Sequence, residues 1–92
     1  MVEVQVTNPS GLHARPATRF VEAAGRFQSR VTVENLDRGP RAADAKSILM
    51  LLTIGVASGH RIRISADGPD EDAAVETLRD LVASGLGEAP PG

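Results

Sequence analysis

Val2, Val4 and Val6 alternate with Glu3, Gln5 and Thr7 at the start of the chain. A period of two gives a strand one dry and one wet face, so this run predicts a first strand. Asn8-Pro9-Ser10-Gly11 follows, four turn formers in succession, and predicts a loop that delivers His13. From Ala14 onward the period changes. Ala17, Phe20, Val21 and Ala24 recur at i, i+3, i+4 and i+7, the spacing of a helix with one buried stripe, while Arg19, Glu22 and Arg26 face elsewhere. Pro16 suits the first turn of that helix, where its missing N–H has no intrahelical partner to lose, and Gly25 suits its end.

Arg30-Val31-Thr32-Val33-Glu34 alternates again, and the turn material Asn35 to Pro40 leads into a short arm, Arg41 to Ala43, which predicts a hairpin. Between Ala45 and Gly55, Ile48, Leu51 and Leu52 have helical spacing, although the nearly continuous apolar run also permits a buried strand. Length and the closing glycines, Gly55 and Gly59, favour a short helix. Arg61 to Ala66 alternates and stops at Asp67-Gly68-Pro69. Asp70, Glu71 and Asp72 then place three acids in the first turn of a last helix, where the helix dipole favours them, and Ala74, Val75, Leu78 and Leu81 form its apolar stripe. The predicted order is β-α-β-β-α-β-α, an α+β fold. Cleanly alternating strands imply an antiparallel sheet wet on one face, with the helices on the other. Residues 1–85 read as one domain and 86–92, with Pro90-Pro91-Gly92, as a flexible tail.

Composition narrows the functional classes. Of the 92 residues 41% are hydrophobic, yet Phe20 and Phe27 are the only aromatic ones, so the core must be aliphatic. Ten Lys and Arg against twelve Asp and Glu give a net charge of −2, which provides no global basic field and argues against a nucleic-acid partner. The absence of cysteine excludes disulfides, thiolate nucleophiles and Cys-ligated zinc. The stretch Ile48 to Val56, broken by Thr53 and Gly55, is far short of the roughly 20 residues that cross a bilayer. Met1-Val2-Glu3-Val4 lacks the basic start of a signal peptide, so a cytoplasmic protein with no membrane insertion is expected. His60 has neither acids nor a second histidine at ligand spacing and reads as structural; no metal and no cofactor are expected.

The chemistry gathers at Gly11-Leu12-His13-Ala14-Arg15-Pro16. An imidazole stands at a helix entrance, where unpaired N–H groups and the helix dipole favour an anion, and an arginine two residues on can grip phosphate oxygens in fork geometry. The same positive surroundings disfavour imidazolium, leaving a ring nitrogen with a lone pair to attack phosphorus. Phosphoryl transfer demands positioning and charge stabilisation above all, so one nucleophile and one cation can suffice. These residues alone leave open that His13 merely caps the helix and Arg15 is a solvated cation.

Gly-Leu-His-Ala-Arg-Pro-Ala, residues 11 to 17, closely resembles the phosphorylation-site signature of HPr, the phosphocarrier of the bacterial phosphoenolpyruvate-dependent sugar phosphotransferase system. Ala45-Lys46-Ser47-Ile48 through Gly55-Val56 to Gly59 resembles that family's regulatory serine region and short second helix, and Ala66-Asp67-Gly68-Pro69-Asp70-Glu71 its last strand-to-helix turn. The similarity runs from about Met1 to Gly85. It implies an open-faced β-sandwich, a four-stranded antiparallel sheet with three helices on one face. It also implies that His13 accepts phosphate from enzyme I through Nδ1 and passes it to the A domains of sugar-specific enzymes II, with Arg15 as the phosphate's cationic partner. Such a chain is a phosphohistidine carrier, a substrate of other enzymes and not an independent catalyst, and is expected to be a monomer.

Ser47 has two compatible readings, an N-cap for the helix that follows it and, by the resemblance, the target of an HPr kinase/phosphorylase. Ile48, Leu49 and Leu52 cannot all turn inward if Leu51 and Ile54 fill the core, because the arc is too wide. The resemblance implies that they form an apolar patch for partner docking, with Thr18 and Val21 as further docking positions. The alternative function is a regulatory binding module that docks a transcriptional regulator or kinase under control of Ser47; relatives of that kind typically lack the active histidine. The chain departs from the family in a longer hairpin, Glu34 to Asp44, carrying Arg38 and Arg41, and in the longer proline-bearing tail. Sugar, nitrogen-related and dihydroxyacetone branches are not separable from these residues.

Overall fold

The computed structural model describes residues 1–39 and 41–88. Pro40, which ends the predicted hairpin turn, and residues 89–92, most of the expected tail, lie outside the described residues. Among the described residues the elements are β1 (Val2–Gln5), α1 (Ala14–Gly25), β2 (Arg30–Asn35), β3 (Ala42–Asp44), α2 (Ile48–Thr53), β4 (Arg61–Asp67) and α3 (Glu71–Ala83), in the order read from the sequence. The strands form one antiparallel sheet in the order β1-β4-β2-β3.

Register follows from the alternation. Val4 lies opposite Ile62, and Val33 lies between Ile64 and Ala43, so one face of the sheet is aliphatic. Val31, Val33, Ile62 and Ile64 are fully buried there beneath the helices, with Phe20, Leu51, Leu78 and Val82 reaching down from above. α3 packs over β4 and β1, and α1 contacts both α3 and α2. The other face stays open and polar. Arg63 ties Glu3 at 3.0 Å and approaches Glu34 at 3.9 Å, the cross-strand pairing that the alternation implies. Arg61 instead sits opposite Gln5 and donates its backbone N–H to the Asp37 carboxylate.

Three boundaries differ from the sequence reading. α2 is shorter than Ala45 to Gly55, because Ala45 still donates to the Val31 carbonyl along the sheet and is buried, and the Asp44 carboxylate turns the chain by accepting the Lys46 N–H. Asp70 is the residue before α3 and not part of its first turn, which holds Glu71 and Asp72. Its carboxylate reaches back to Gln28 N–H and to the N–H and hydroxyl of Ser29, pinning the start of α3 to the turn after α1. The ordered domain also extends past Gly85: Leu86 is wholly buried and its carbonyl accepts from Arg19. An apolar side chain next to two glycines completes the core under the end of α3, which local composition does not reveal.

Candidate functional site

His13 is the residue before α1, in extended backbone at φ −133°, ψ 160°, and its side chain makes no capping hydrogen bond. It is exposed, as is Arg15. The loop carrying it is held from below. Leu12 is fully buried, and its N–H donates to the Val56 carbonyl at 3.0 Å. Gly11 adopts φ +62° and lies so close to Val56 and Ala57 that a Cβ would run into their backbone. Only glycine satisfies both conditions, so Gly11 lets the His13 loop seat directly on the segment that leaves α2.

The first intrahelical bond of α1 runs from Ala17 N–H to the His13 carbonyl at 3.4 Å. The N–H groups of Ala14 and Arg15 therefore have no intrahelical acceptor, and Pro16 has no N–H to offer. Pro16 is buried, which fixes the entry of the helix against the core. Ala14 stands at φ +52°, a left-handed conformation that costs an L-residue roughly 1–2 kcal/mol. The sequence pattern gives no sign of it; the turn that lifts the His13 ring clear of the core imposes it. A donor-lined helix entrance, an exposed imidazole and an exposed guanidinium can together hold and receive a phosphoryl group.

The sequence-predicted residues fall into two groups. His13, Arg15 and the exposed Thr18 share the first turns of α1, with Val21 half-buried one turn further on. Thr18 donates its hydroxyl back to the Ala14 carbonyl at 3.2 Å. On α2, Leu51 and Ile54 are buried while Leu49 is 73% exposed and Ile48, Met50 and Leu52 stand well out, as the width of the apolar arc required. Ser47 caps α2, its hydroxyl accepting from Met50 N–H at 3.2 Å. Lys46 beside it binds the Phe27 carbonyl past the far end of α1. Since α1 has twelve residues, about 18 Å of helix separates that carbonyl's end of α1 from His13. His60 is structural: its Nδ1 accepts from Ala57 N–H and lies 3.1 Å from the Asn35 amide nitrogen.

One part of the site was not foreseen. Glu88 folds back onto the loop before His13, its carboxylate accepting from Asn8 Nδ2 at 3.1 Å, Ser10 N–H at 2.7 Å and Ser10 Oγ at 2.6 Å. The Ser10 hydroxyl, then the Ser10 N–H and the Asn8 amide, hold this carboxyl below the ordinary glutamate value. Partners 78 and 80 positions apart leave no signal in a local pattern. Arg15, Pro16, Arg19, Leu86, Gly87 and Glu88 line an open cleft of about 290 Å³ beside the loop. Among the described residues no group of His, Asp and Glu is placed to hold a metal ion, and no helix is long and apolar enough to cross a membrane.

A family model described as the PTS HPr component phosphorylation site matches residues 2–84. The chain belongs to the HPr family. Its fold overlays HPr-C-His from Thermoanaerobacter tengcongensis with a TM-score of 0.88 at 40% identity, covering 96% of each chain. HPr from Bacillus anthracis gives 0.82 at 34% identity, over 88% of this chain and 93% of that one. Among curated proteins, the multiphosphoryl transfer protein of Salmonella typhimurium is 42% identical over 86 residues. That match takes in 94% of this chain but 23% of the relative, so the chain spans about a quarter of that protein's length. The HPr fold and the family's phosphotransfer character thus rest on nearly the whole chain.

Proposed function

We propose that this chain is a phosphoryl carrier in which the His13 ring accepts phosphate from phospho-enzyme I and passes it to the A domains of enzymes II. The observation that carries the reading is the exposed His13 imidazole, free of any capping bond, at a helix entrance with two unpaired N–H groups and with Arg15 exposed beside it. In the acceptor step the lone pair of Nδ1 forms the N–P bond while the donor's bond to phosphorus breaks and its electron pair leaves with the donor. The phosphoryl oxygens meet the Arg15 guanidinium and the first-turn amides, which oppose the charge they carry. Donation to the next protein is the same exchange reversed. The chain needs no acid or base of its own for this, in keeping with a carrier that is a substrate of other enzymes.

The exposed side chains of Ile48, Leu49 and Leu52, on a helix packed against α1, provide an apolar patch for transient docking, with Thr18 and Val21 at its α1 side. We take the working form to be a monomer in the cytoplasm, where phosphoenolpyruvate-driven transfer takes place. Solved relatives include a dimer of Thermoanaerobacter HPr and an intertwined dimer of Crh, the Bacillus subtilis catabolite repression HPr. The likeness to Crh, 36% identical with a TM-score of 0.73, and the half-buried Ser47 at the edge of the apolar patch favour one second reading. In it the chain docks a transcriptional regulator or an HPr kinase/phosphorylase under control of Ser47 phosphorylation.

Incubation with phosphoenolpyruvate, magnesium and enzyme I, followed by mapping of the modified residue, separates the two. Acid-labile phosphate on His13 that disappears in His13→Ala supports the carrier. Acid-stable phosphate on Ser47, arriving only from ATP, supports the regulatory module. Arg15→Ala should slow transfer roughly tenfold to a hundredfold, the effect of losing a hydrogen bond to a charged group worth about 1.5–3 kcal/mol, with an unchanged folding midpoint. An unaltered rate would remove Arg15 from the mechanism.

A further inference from the structure

The residues after α3 do not drift away from the domain; they form a strap. Gly85 N–H returns to the Val82 carbonyl, Leu86 N–H to Leu81, and Glu88 N–H to Gly85, each at 3.0 Å. Leu86 pays for its buried position with a left-handed φ of +56°. Its carbonyl accepts from Arg19 Nη1 at 3.1 Å, and the guanidinium passes through the space that a Cβ on Gly87 would fill. Gly87 itself stands at φ +74°, a backbone region that side-chain-bearing residues rarely adopt, as the strap turns to bring Glu88 to the loop before His13.

At that loop the carboxylate meets three donors. Oε1 accepts from Asn8 Nδ2 and from Ser10 N–H, and Oε2 accepts from Ser10 Oγ. Asn8 Nδ2 also donates to the Gly11 carbonyl at 2.9 Å, so its two hydrogens link Glu88 to the backbone two residues before His13. The price of this orientation is visible: Asn8 Oδ1 is buried without a partner. Turning the amide over would aim that oxygen at the Gly11 carbonyl and the Glu88 carboxylate, two acceptors, so the orientation is set by the strap and the loop together.

We propose that Glu88 is a positioning residue for His13, its carboxylate fixing the loop of residues 8–11 and with it the direction in which the imidazole is presented. This rests on reading His13 as the phosphoryl acceptor. Charge-assisted bonds to an ionised carboxylate are stronger than neutral ones and directional, which suits them to hold a loop that is otherwise seated through the buried Leu12, its N–H bond to Val56 and the close packing of Gly11. The strap thereby couples three elements to the acceptor: α3 through Leu86, α1 through Arg19, and the β1–α1 loop through Asn8 and Ser10.

The test uses the full chain with Glu88→Ala and Glu88→Gln. Three quantities are measured: the rate of phosphoryl acceptance from phospho-enzyme I, the His13 ring resonances, and the exchange rate of the Ser10 amide. In Glu88→Ala the maximal rate should fall roughly fivefold to tenfold, below the hundredfold of a gross misplacement because Leu12 stays anchored, with little change in apparent affinity for enzyme I. The ring resonances should shift and the Ser10 amide should exchange faster. Glu88→Gln should recover most of all three, since its amide oxygen can accept from Asn8 and Ser10 N–H while its NH₂ donates to Ser10 Oγ. Unchanged or faster transfer in Glu88→Ala, or slower transfer with unmoved ring resonances, would overturn the assignment. The ring and amide measurements need no partner. Failure of the unaltered chain to take label on His13 sinks the carrier reading, and the positioning role of Glu88 is then judged by the ring resonances and the Ser10 amide exchange.

Discussion

At the scale of single residues the site is a compromise between presentation and backbone comfort. Extended backbone at His13 and left-handed backbone at Ala14 turn the imidazole out of the core, while Leu12 and Pro16 on either side are buried. Glycine meets no steric penalty at φ +52°, so Ala14→Gly should be neutral or stabilising by up to about 1 kcal/mol in urea unfolding. The same change at Ala17, buried in regular helix, should destabilise by at least about 1 kcal/mol. Equal losses at both positions would show that Ala14 carries no strain. The motif residues were legible in the sequence because their chemistry is local: an imidazole, a guanidinium and a proline in one helix turn. The strain at Ala14 was not, because alanine carries no mark of the backbone angle it is forced to adopt.

At the scale of elements, α2 shows how a short helix can be kept in place while offering most of its apolar surface. Six residues are too few to be stable alone, so the helix depends on its cap and on the single buried stripe of Leu51 and Ile54. Ser47→Ala removes the bond to Met50 N–H and should cost about 1 kcal/mol by chemical denaturation, whether or not Ser47 is ever phosphorylated. Leu49, at 73% exposure, contributes little to the core. Leu49→Ala should leave the unfolding midpoint within about 0.5 kcal/mol while weakening partner docking roughly tenfold, measured as the apparent affinity for enzyme I in the transfer assay. Undiminished affinity would remove Leu49 from the docking surface. That some of Ile48, Leu49 and Leu52 face water followed from helical geometry alone. The exact length of α2 did not, because Asp44 and Lys46 turn the chain through bonds that depend on where β2 and α1 already lie.

At the scale of the whole molecule, two carboxylates act as long-range fasteners. Asp70 joins α3 to the turn after α1, and Glu88 joins the end of α3 to the loop before it. The Ser29 hydroxyl, followed by the Gln28 N–H, holds the Asp70 carboxyl below its ordinary value of 3.8. A carboxyl depressed in the folded state stabilises the fold fully above its unfolded value and loses that contribution as pH falls through the folded value. Asp70→Asn should therefore lower the thermal midpoint at neutral pH, and the gap between variant and parent should close as the medium is acidified below about pH 4. A gap independent of pH would show that charge at Asp70 is immaterial. Alternating valines and isoleucines, helical stripes, turn formers and one short motif were enough, within the sequence itself, to determine the element order and the open-faced sheet and to single out His13 and Arg15 as candidates, since each is written in residues that are neighbours along the chain. Only the tertiary structure decided where α2 begins, what Asp70 bonds to, that Leu86 is part of the core, and that Glu88 bonds the loop before His13. Those outcomes depend on groups meeting in space that are distant along the chain, about fourteen to nineteen positions apart at α2 and 41 to 80 apart for Asp70, Leu86 and Glu88, and such a contact carries no trace in the local pattern of either partner.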